Sequence, residues 1–211
     1  MQRCIESELM DDPEQALAFH KASREYGIRG FIELYKKYVN IHEGRVVDLG
    51  CGTGAYLFAL EEVYPTLKIT GYDGSEPMVQ IGRGLAEAIS SGVRLCHRKF
   101  KDVDDTADCV ISTNTLHHMH DPTVFWNCVK RISNRVFVMD LIRPLDTTIA
   151  RSIVDTLAKD DSEEFKTDYY NSLLAAFSAE ELQDQIKETK LKLIIEGDPS
   201  FLQVAIIYGV L

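Results

Sequence analysis

Val46-Val47-Asp48-Leu49-Gly50-Cys51-Gly52-Thr53-Gly54 is a short apolar run that ends on an acid and then on three glycines at alternate positions. A helical pattern follows from about residue 55. Glycine has no Cβ, so the backbone can turn sharply there and come within contact distance of a ligand. The first N–H groups of the helix behind such a turn have no partner within the helix and point at whatever occupies the turn. Asp48 adds a negative charge at the strand end. Donors and an acid together suit a ligand carrying a carboxylate, an ammonium and a ribose better than a bare phosphate chain. Strand, turn and helix in this order speak against a glycine-rich turn without a ligand.

Outward from this loop the chain alternates. Strands are predicted over 45–49, 68–72, 93–96, 107–112 and 135–140, the fourth as an apolar run buried on both faces. Helices are predicted between them: one from 55 to 64 ended by Pro65, one capped by Ser75-Glu76-Pro77 with an apolar stripe of Met78, Ile81, Leu85 and Ile89, and one started by Asp121-Pro122 and carrying Phe125, Cys128 and Ile132. Such alternation gives a parallel sheet with helices on both faces. Upstream, Asp12-Pro13-Glu14-Gln15 reads as a helix start with Gln15 reaching back to the cap. Ile28, Phe31, Ile32, Tyr35 and Val39 then recur at helical spacing. Residues 146–177 break the rhythm with two helical patterns, Ile149/Ile153/Leu157 and Phe165/Tyr169/Leu173. Ser178 to Glu181 is a capping box for a long last helix. Strands over 192–196 and 202–208, joined only by Gly197-Asp198-Pro199-Ser200, must form an antiparallel hairpin.

Asp48-Leu49-Gly50-Cys51-Gly52-Thr53-Gly54 resembles the first motif of class I S-adenosylmethionine-dependent methyltransferases, acid-x-Gly-x-Gly-x-Gly. Gly50, Gly52 and Ala55 also satisfy the looser G-x-G-x-x-G/A fingerprint of nicotinamide-binding folds. The third alternate glycine and the acid favour S-adenosylmethionine. The resemblance implies a Rossmann-like, mostly parallel seven-stranded sheet closed by a C-terminal antiparallel hairpin, which dinucleotide-binding domains normally lack. Leu116-His117-His118-Met119-His120-Asp121-Pro122 is similar to a segment of the small-molecule, quinone-type branch of the family.

Length and composition suit one domain over residues 1–211, with N-terminal helices over 1–40 and the helical insert over 146–177. A net charge of −10 argues against a nucleic-acid partner, which needs a concentrated basic face. The basic cluster Arg94, His97, Arg98, Lys99 and Lys101 is short, and Asp102, Asp104 and Asp105 follow it directly. No apolar run is long enough for a membrane span, and the first residues lack the apolar core of a secretory signal. The five cysteines fit neither a disulfide framework nor a zinc site, so a cytoplasmic protein without a metal centre is expected. Core packing is the expected role of those cysteines.

Asp73 ends the second strand about twenty residues past the glycine loop, where a carboxylate can accept both ribose hydroxyls. Open α/β sheets bind ligands at the carboxyl ends of their strands, so Asn114 and Thr115 line the same crevice as the glycines. In the resembling family, residues there cover the methionine part of the cofactor and face the acceptor. Asn114 is not followed by the Pro-Pro-aromatic sequence of enzymes that methylate amino groups of bases. The expected cofactor set is therefore Asp48, Gly50, Cys51, Gly52, Gly54, Asp73, Gly74, Phe100, Asn114 and Thr115. The third-strand exit departs from the family pattern, which often reads Gly-Asp-Ala. Here the candidates are Phe100 on the adenine face or Asp102 at its amino group, with a core role as the alternative for Phe100. His117 and His118 are the candidate general bases, since imidazole titrates near neutral pH, with scaffolding as the alternative.

The function these readings imply is methyl transfer from S-adenosylmethionine to a small organic acceptor by a monomer or homodimer. The alternatives are a non-catalytic S-adenosylmethionine-binding protein and a nicotinamide-dependent oxidoreductase. The latter would need a hydride-transfer pair, and Tyr35-Lys36 and Tyr64/Lys68 lie on the wrong elements for one. The insert, with the N-terminal helices around Phe19, Tyr26 and Phe31, is expected to form a lid and acceptor pocket faced by Tyr169 and Tyr170.

Overall fold

In the computed structural model, which describes residues 1–7, 9, 11–17, 20 and 27–211, seven strands form one sheet in the order β3-β2-β1-β4-β5-β7-β6. These are β1 (Gly44–Leu49), β2 (Leu67–Asp73), β3 (Arg94–His97), β4 (Cys109–Thr113), β5 (Arg135–Leu141), β6 (Lys192–Gly197) and β7 (Gln203–Val210). The first five run parallel; β7 is antiparallel to both β5 and β6. The helices are α1 (Ile28–Tyr38), α2 (Ala55–Val63), α3 (Glu76–Ala88), α4 (Pro122–Ile132), α5 (Thr147–Leu157), α6 (Glu163–Ala175) and α7 (Ala179–Ile186).

Alternate residues of each central strand feed opposite cores. Val46, Cys109, Ile111, Phe137, Met139 and Ile206 pack with Phe31 and Tyr35 of α1 and with Leu57 and Leu60 of α2. Val47, Val110, Val136, Val138, Ala205 and Ile207 pack with Phe125, Trp126 and Val129 of α4 and with Leu182 and Ile186 of α7. Burial on both faces is why these strands read as unbroken apolar runs. Helices α5 and α6 bury Ala150, Ile153, Val154, Ala158 and Leu173 in a third cluster.

The predicted caps form. Ser75 accepts the Met78 N–H, Asp121 accepts the Thr123 N–H, and Ser178 and Glu181 make the capping box. Asp12 accepts the Glu14 and Gln15 N–H groups at 2.7 and 3.3 Å, but the Gln15 side chain donates to Asp168 Oδ2 at 3.0 Å instead of returning to the cap. The last helix, expected to be long, has eight residues. Beyond it the Thr189 N–H and hydroxyl both turn back to the Ile186 carbonyl, closing the helix early. β4 starts two residues later than expected, because the Ala107 and Asp108 N–H groups bond Ile132 and Arg45 outside the ladder.

The strand order reverses between β1 and β4, and the carboxyl ends of an open parallel sheet diverge at such a switch point to leave a crevice. No helix among the described residues is long and apolar enough to cross a membrane.

Candidate active site

The three glycines of the loop after β1 all have positive φ but do three different things. A Cβ on Gly50 would lie inside contact distance of Thr115 Cγ2 and Oγ1 and 2.8 Å from its Cβ; this glycine makes room for the turn after β4. Thr115 Oγ1 donates to the Gly50 carbonyl at 3.0 Å, locking the two loops together. A Cβ on Gly54 would press on Leu95 and Phe58, so this residue faces the core and starts α2 from a left-handed φ of 82°. Only Gly52 faces open space, with the Met78 Sδ as the nearest atom at 3.9 Å.

The loop's own donors are largely taken. The Gly50 and Cys51 N–H groups bond the Tyr72 carbonyl at 2.8 and 3.2 Å, and the Gly52 N–H bonds Asp73 Oδ2 at 2.7 Å. The first intrahelical bond of α2 is Phe58 N–H to Gly54, which leaves the N–H groups of residues 55 to 57 for other partners. Asp73 Oδ1 accepts the Ser75 N–H at 2.8 Å. Burial pushes the Asp73 pKa up, and the two backbone donors oppose that shift. Each carboxylate oxygen keeps a further lone pair for a hydroxyl.

Above this loop lies a cavity of about 270 Å³. Gly50, Cys51, Gly52, Asp73, Gly74, Phe100, Asn114 and Thr115 all line it. Asp48 and Gly54 do not: Asp48 is 1% exposed behind the loop, with Oδ1 lacking a hydrogen-bond partner among the described residues. Burial, and then the charge of Asp73, drive the Asp48 pKa well above the carboxylate range. Asp102 also stays off the cavity wall, where Phe100 sits between Lys99 and Lys101. Sequence reasoning missed Leu9, Tyr56, Ser75, Met78, Met119 and Val124, whose apolar or capping character gives no chemical signal.

A second cavity, of about 550 Å³, lies beyond Tyr56 and Asn114, which line both. Asn114 sits at φ 50°, a left-handed conformation that Asn tolerates, and its Nδ2 donates to the Tyr56 hydroxyl at 3.3 Å. Burial pushes the Tyr56 pKa up to about 12, so its hydroxyl keeps its proton at neutral pH. The second cavity takes its walls from α1, β5, β7, α5 and α6, including Phe31, Met139, Leu157, Phe165 and Tyr169. Tyr170, expected beside Tyr169, instead lies under the Arg151 guanidinium at 4.1 Å. Phe19 and Tyr26 lie outside the described residues.

The two histidines part company. His117 is 3% exposed, lines the second cavity, and places Nδ1 2.5 Å from Asp140 Oδ1. Asp140 is the penultimate residue of β5, and its Oδ2 also gathers the N–H groups of Thr115, Leu116 and His117 at 3.1, 2.6 and 3.3 Å. Burial opposes charge on both partners, but their mutual attraction prevails: the His117 pKa is raised and that of Asp140 lowered. His118 lines the first cavity, stacks on His117 at 4.3 Å, and binds the Ser7 carbonyl through Nδ1 at 3.1 Å. Burial, and then the neighbouring His117, push its pKa down to about 3, so it is neutral near pH 7.

The N-terminal segment straps across this region. Arg3 donates to the carbonyls of Ala175, His117 and Met119 at 2.6, 2.7 and 3.0 Å while its guanidinium lies 3.8 Å over the Phe177 ring. Glu6 Oε1 accepts the Ser172 hydroxyl at 3.1 Å and stands 3.6 Å from His117 Nε2. Glu6, His117 and His118 bring potential metal-ligating atoms within 4.8 Å of one another, although the sequence predicted no such grouping. Neither Asp140 nor this strap carries a sequence signal: both meet His117 only through folding.

A family model for the methyltransferase domain matches residues 42–195. Trans-aconitate 2-methyltransferase of Streptomyces coelicolor is 33% identical over 113 residues, covering 50% of this chain and 35% of that protein. The tRNA U34 carboxymethyltransferase of Sulfurimonas denitrificans is 30% identical over 95 residues, 42% of this chain and 31% of that protein. The matched stretches thus span about a third of these relatives' length. Among solved structures, the plantazolicin methyltransferase BpumL in complex with SAH aligns with a TM-score of 0.66 at 15% identity, over 90% of this chain and 85% of that one. That likeness concerns the fold alone. With the family model covering most of the sheet and the glycine loop at its switch point, the chain belongs to the methyltransferase-domain family, among the class I S-adenosylmethionine-dependent methyltransferases.

Proposed function

We propose that the protein transfers the methyl group of S-adenosylmethionine to a small organic acceptor. The observation that carries this reading is the pair of cavities meeting at Tyr56 and Asn114, one over the glycine loop and one walled by apolar side chains. Such a junction suits in-line transfer, in which positioning and exclusion of water supply most of the acceleration.

The residues of the first cavity fit the adenosyl cofactor. Asp73 retains acceptor capacity for the ribose diol, Gly52 offers an open cradle, and Phe100 gives a flat apolar face for adenine. Gly50, Cys51, Gly74, Asn114 and Thr115 complete the wall, while Asp48 and Gly54 support the loop from behind. When bound, S-adenosylmethionine supplies the methyl group and departs as S-adenosylhomocysteine. Asn114 and Tyr56 fix the passage between the cavities.

His117 is the better candidate for a base. Asp140 holds its ring and raises its affinity for a proton, and its position on the second cavity wall lets it accept one from an acceptor hydroxyl or ammonium. His118, with a pKa near 3, is a weak base and supports His117 by stacking. The net charge of −10 supports a small acceptor over nucleic acid. A labelled-methyl transfer screen over phenols, quinones, carboxylates and amines tests the reading. Transfer to at least one class is expected; S-adenosylhomocysteine binding without transfer to any would leave a binding protein instead.

A further inference from the structure

The second cavity has an unusual charge distribution for its apolar lining. Among the described residues that line it there is no lysine or arginine, but there are two acids, Asp168 and Glu196. Glu196 is matched by Lys37 Nζ and the Tyr38 hydroxyl, both at 3.0 Å. Asp168 has only the neutral Gln15 amide, at 3.0 Å, and no lysine or arginine pairs with it among the described residues. On the same helix, Phe165 and Tyr169 stack with centroids 6.0 Å apart and line the same cavity. Aromatic faces beside an unneutralised carboxylate attract ammonium groups by cation–π and ionic contact together.

From this we infer that the second cavity takes an apolar, amine-bearing acceptor whose ammonium rests between Asp168 and the rings of Phe165 and Tyr169. The inference rests on reading that cavity as the acceptor chamber. It assigns Asp168 a role in specificity, and it sets this chain apart from an acceptor recognised through carboxylates or phosphates, since no lysine or arginine among the described residues lines the cavity and its one imidazole, His117, is already paired with Asp140.

Three probes of one shape separate the possibilities: 2-naphthylmethylamine, 2-naphthylmethanol and 2-naphthoic acid, titrated at neutral pH into the full chain saturated with S-adenosylhomocysteine. The amine is expected to bind at least tenfold more tightly than the acid, with the alcohol between. Asp168→Asn keeps a carbonyl for Gln15 and removes only the charge. It should bring the amine to the affinity of the alcohol while leaving the alcohol and S-adenosylhomocysteine unchanged. An acid that binds as well as the amine, an amine that does not bind, or an unaltered ranking in D168N would overturn the inference. A preference for the amine in protein that fails to bind S-adenosylhomocysteine would instead leave an amine-binding site and remove both the methyltransferase reading and the acceptor role inferred from it.

Discussion

Gly50→Ala tests how the cofactor loop is built, without any cofactor present. The φ of 83° is a left-handed conformation, which costs a residue with a Cβ roughly 1–2 kcal/mol. The new methyl would overlap Thr115 Cγ2 and Oγ1, and relieving such overpacking costs roughly 1–3 kcal/mol. Displacing Thr115 also loses the 3.0 Å hydrogen bond to the Gly50 carbonyl, about 1 kcal/mol. The sum, roughly 3–6 kcal/mol, is a large share of the ~5–15 kcal/mol that stabilises a typical domain. A midpoint lowered by roughly 6–24 °C is expected in thermal unfolding followed by circular dichroism. In a Thr115→Ala background the overlapping γ atoms are gone, and only the Cβ at 2.8 Å and the φ cost remain. The Gly50→Ala penalty should fall there to about 2 kcal/mol, a coupling of about 1–4 kcal/mol. A penalty under about 1 kcal/mol in the wild-type background, or an equal penalty in both, would refute the idea that Gly50 exists to admit Thr115.

Asp73→Ala removes the proposed ribose acceptor and should weaken S-adenosylhomocysteine binding by roughly 10- to 100-fold, the loss of one or two charge-assisted hydrogen bonds, measured by calorimetry. Unchanged affinity would leave Asp73 as a turn acid serving Gly52 and Ser75 alone. His117 has a raised pKa, so its ion pair with Asp140 stabilises the fold fully below the ordinary imidazole range and is lost as pH rises through the raised value. A base must be deprotonated to act, so the transfer rate should climb with pH over that same window. Asp140→Asn should move the rising limb to lower pH and cut the maximum rate on the order of 100-fold or more, whereas a purely structural pair would leave the limb in place. Arg3→Ala should destabilise the N-terminal strap by about 1–3 kcal/mol and speed proteolysis of the first residues; equal digestion rates would show that the three carbonyl contacts contribute little.

Much of the fold was legible because burial on both faces imprints directly on composition. Val46-Val47, the run around Val110 and that around Val136 could hardly be anything but central strands, and Ser75, Asp121 and Ser178 mark helix starts by local hydrogen bonding that needs no tertiary context. The loop's place at the crevice was legible too, but not the division of labour within it. That Gly50 yields to Thr115, Gly54 to Leu95, and only Gly52 to the cavity depends on what stands opposite each Cα, 26 to 65 positions away in the chain. The same limit hid Asp140. A single acid near the end of an apolar strand has no pattern, and it gains meaning only because β5 lies beside β4 and brings its carboxylate under His117. The strap of residues 1–7 has no periodicity at all. Several of its contacts join a side chain to a backbone carbonyl, which any sequence offers.

Calorimetric titration of the full chain with S-adenosylhomocysteine, and with NAD in parallel, addresses the glycine-loop crevice most directly. One equivalent of S-adenosylhomocysteine should bind to wild-type protein, with affinity lost in Asp73→Ala and retained in Asp168→Asn, and NAD should give no saturable heat. Saturable binding of NAD with none of S-adenosylhomocysteine would contradict the assignment of that crevice.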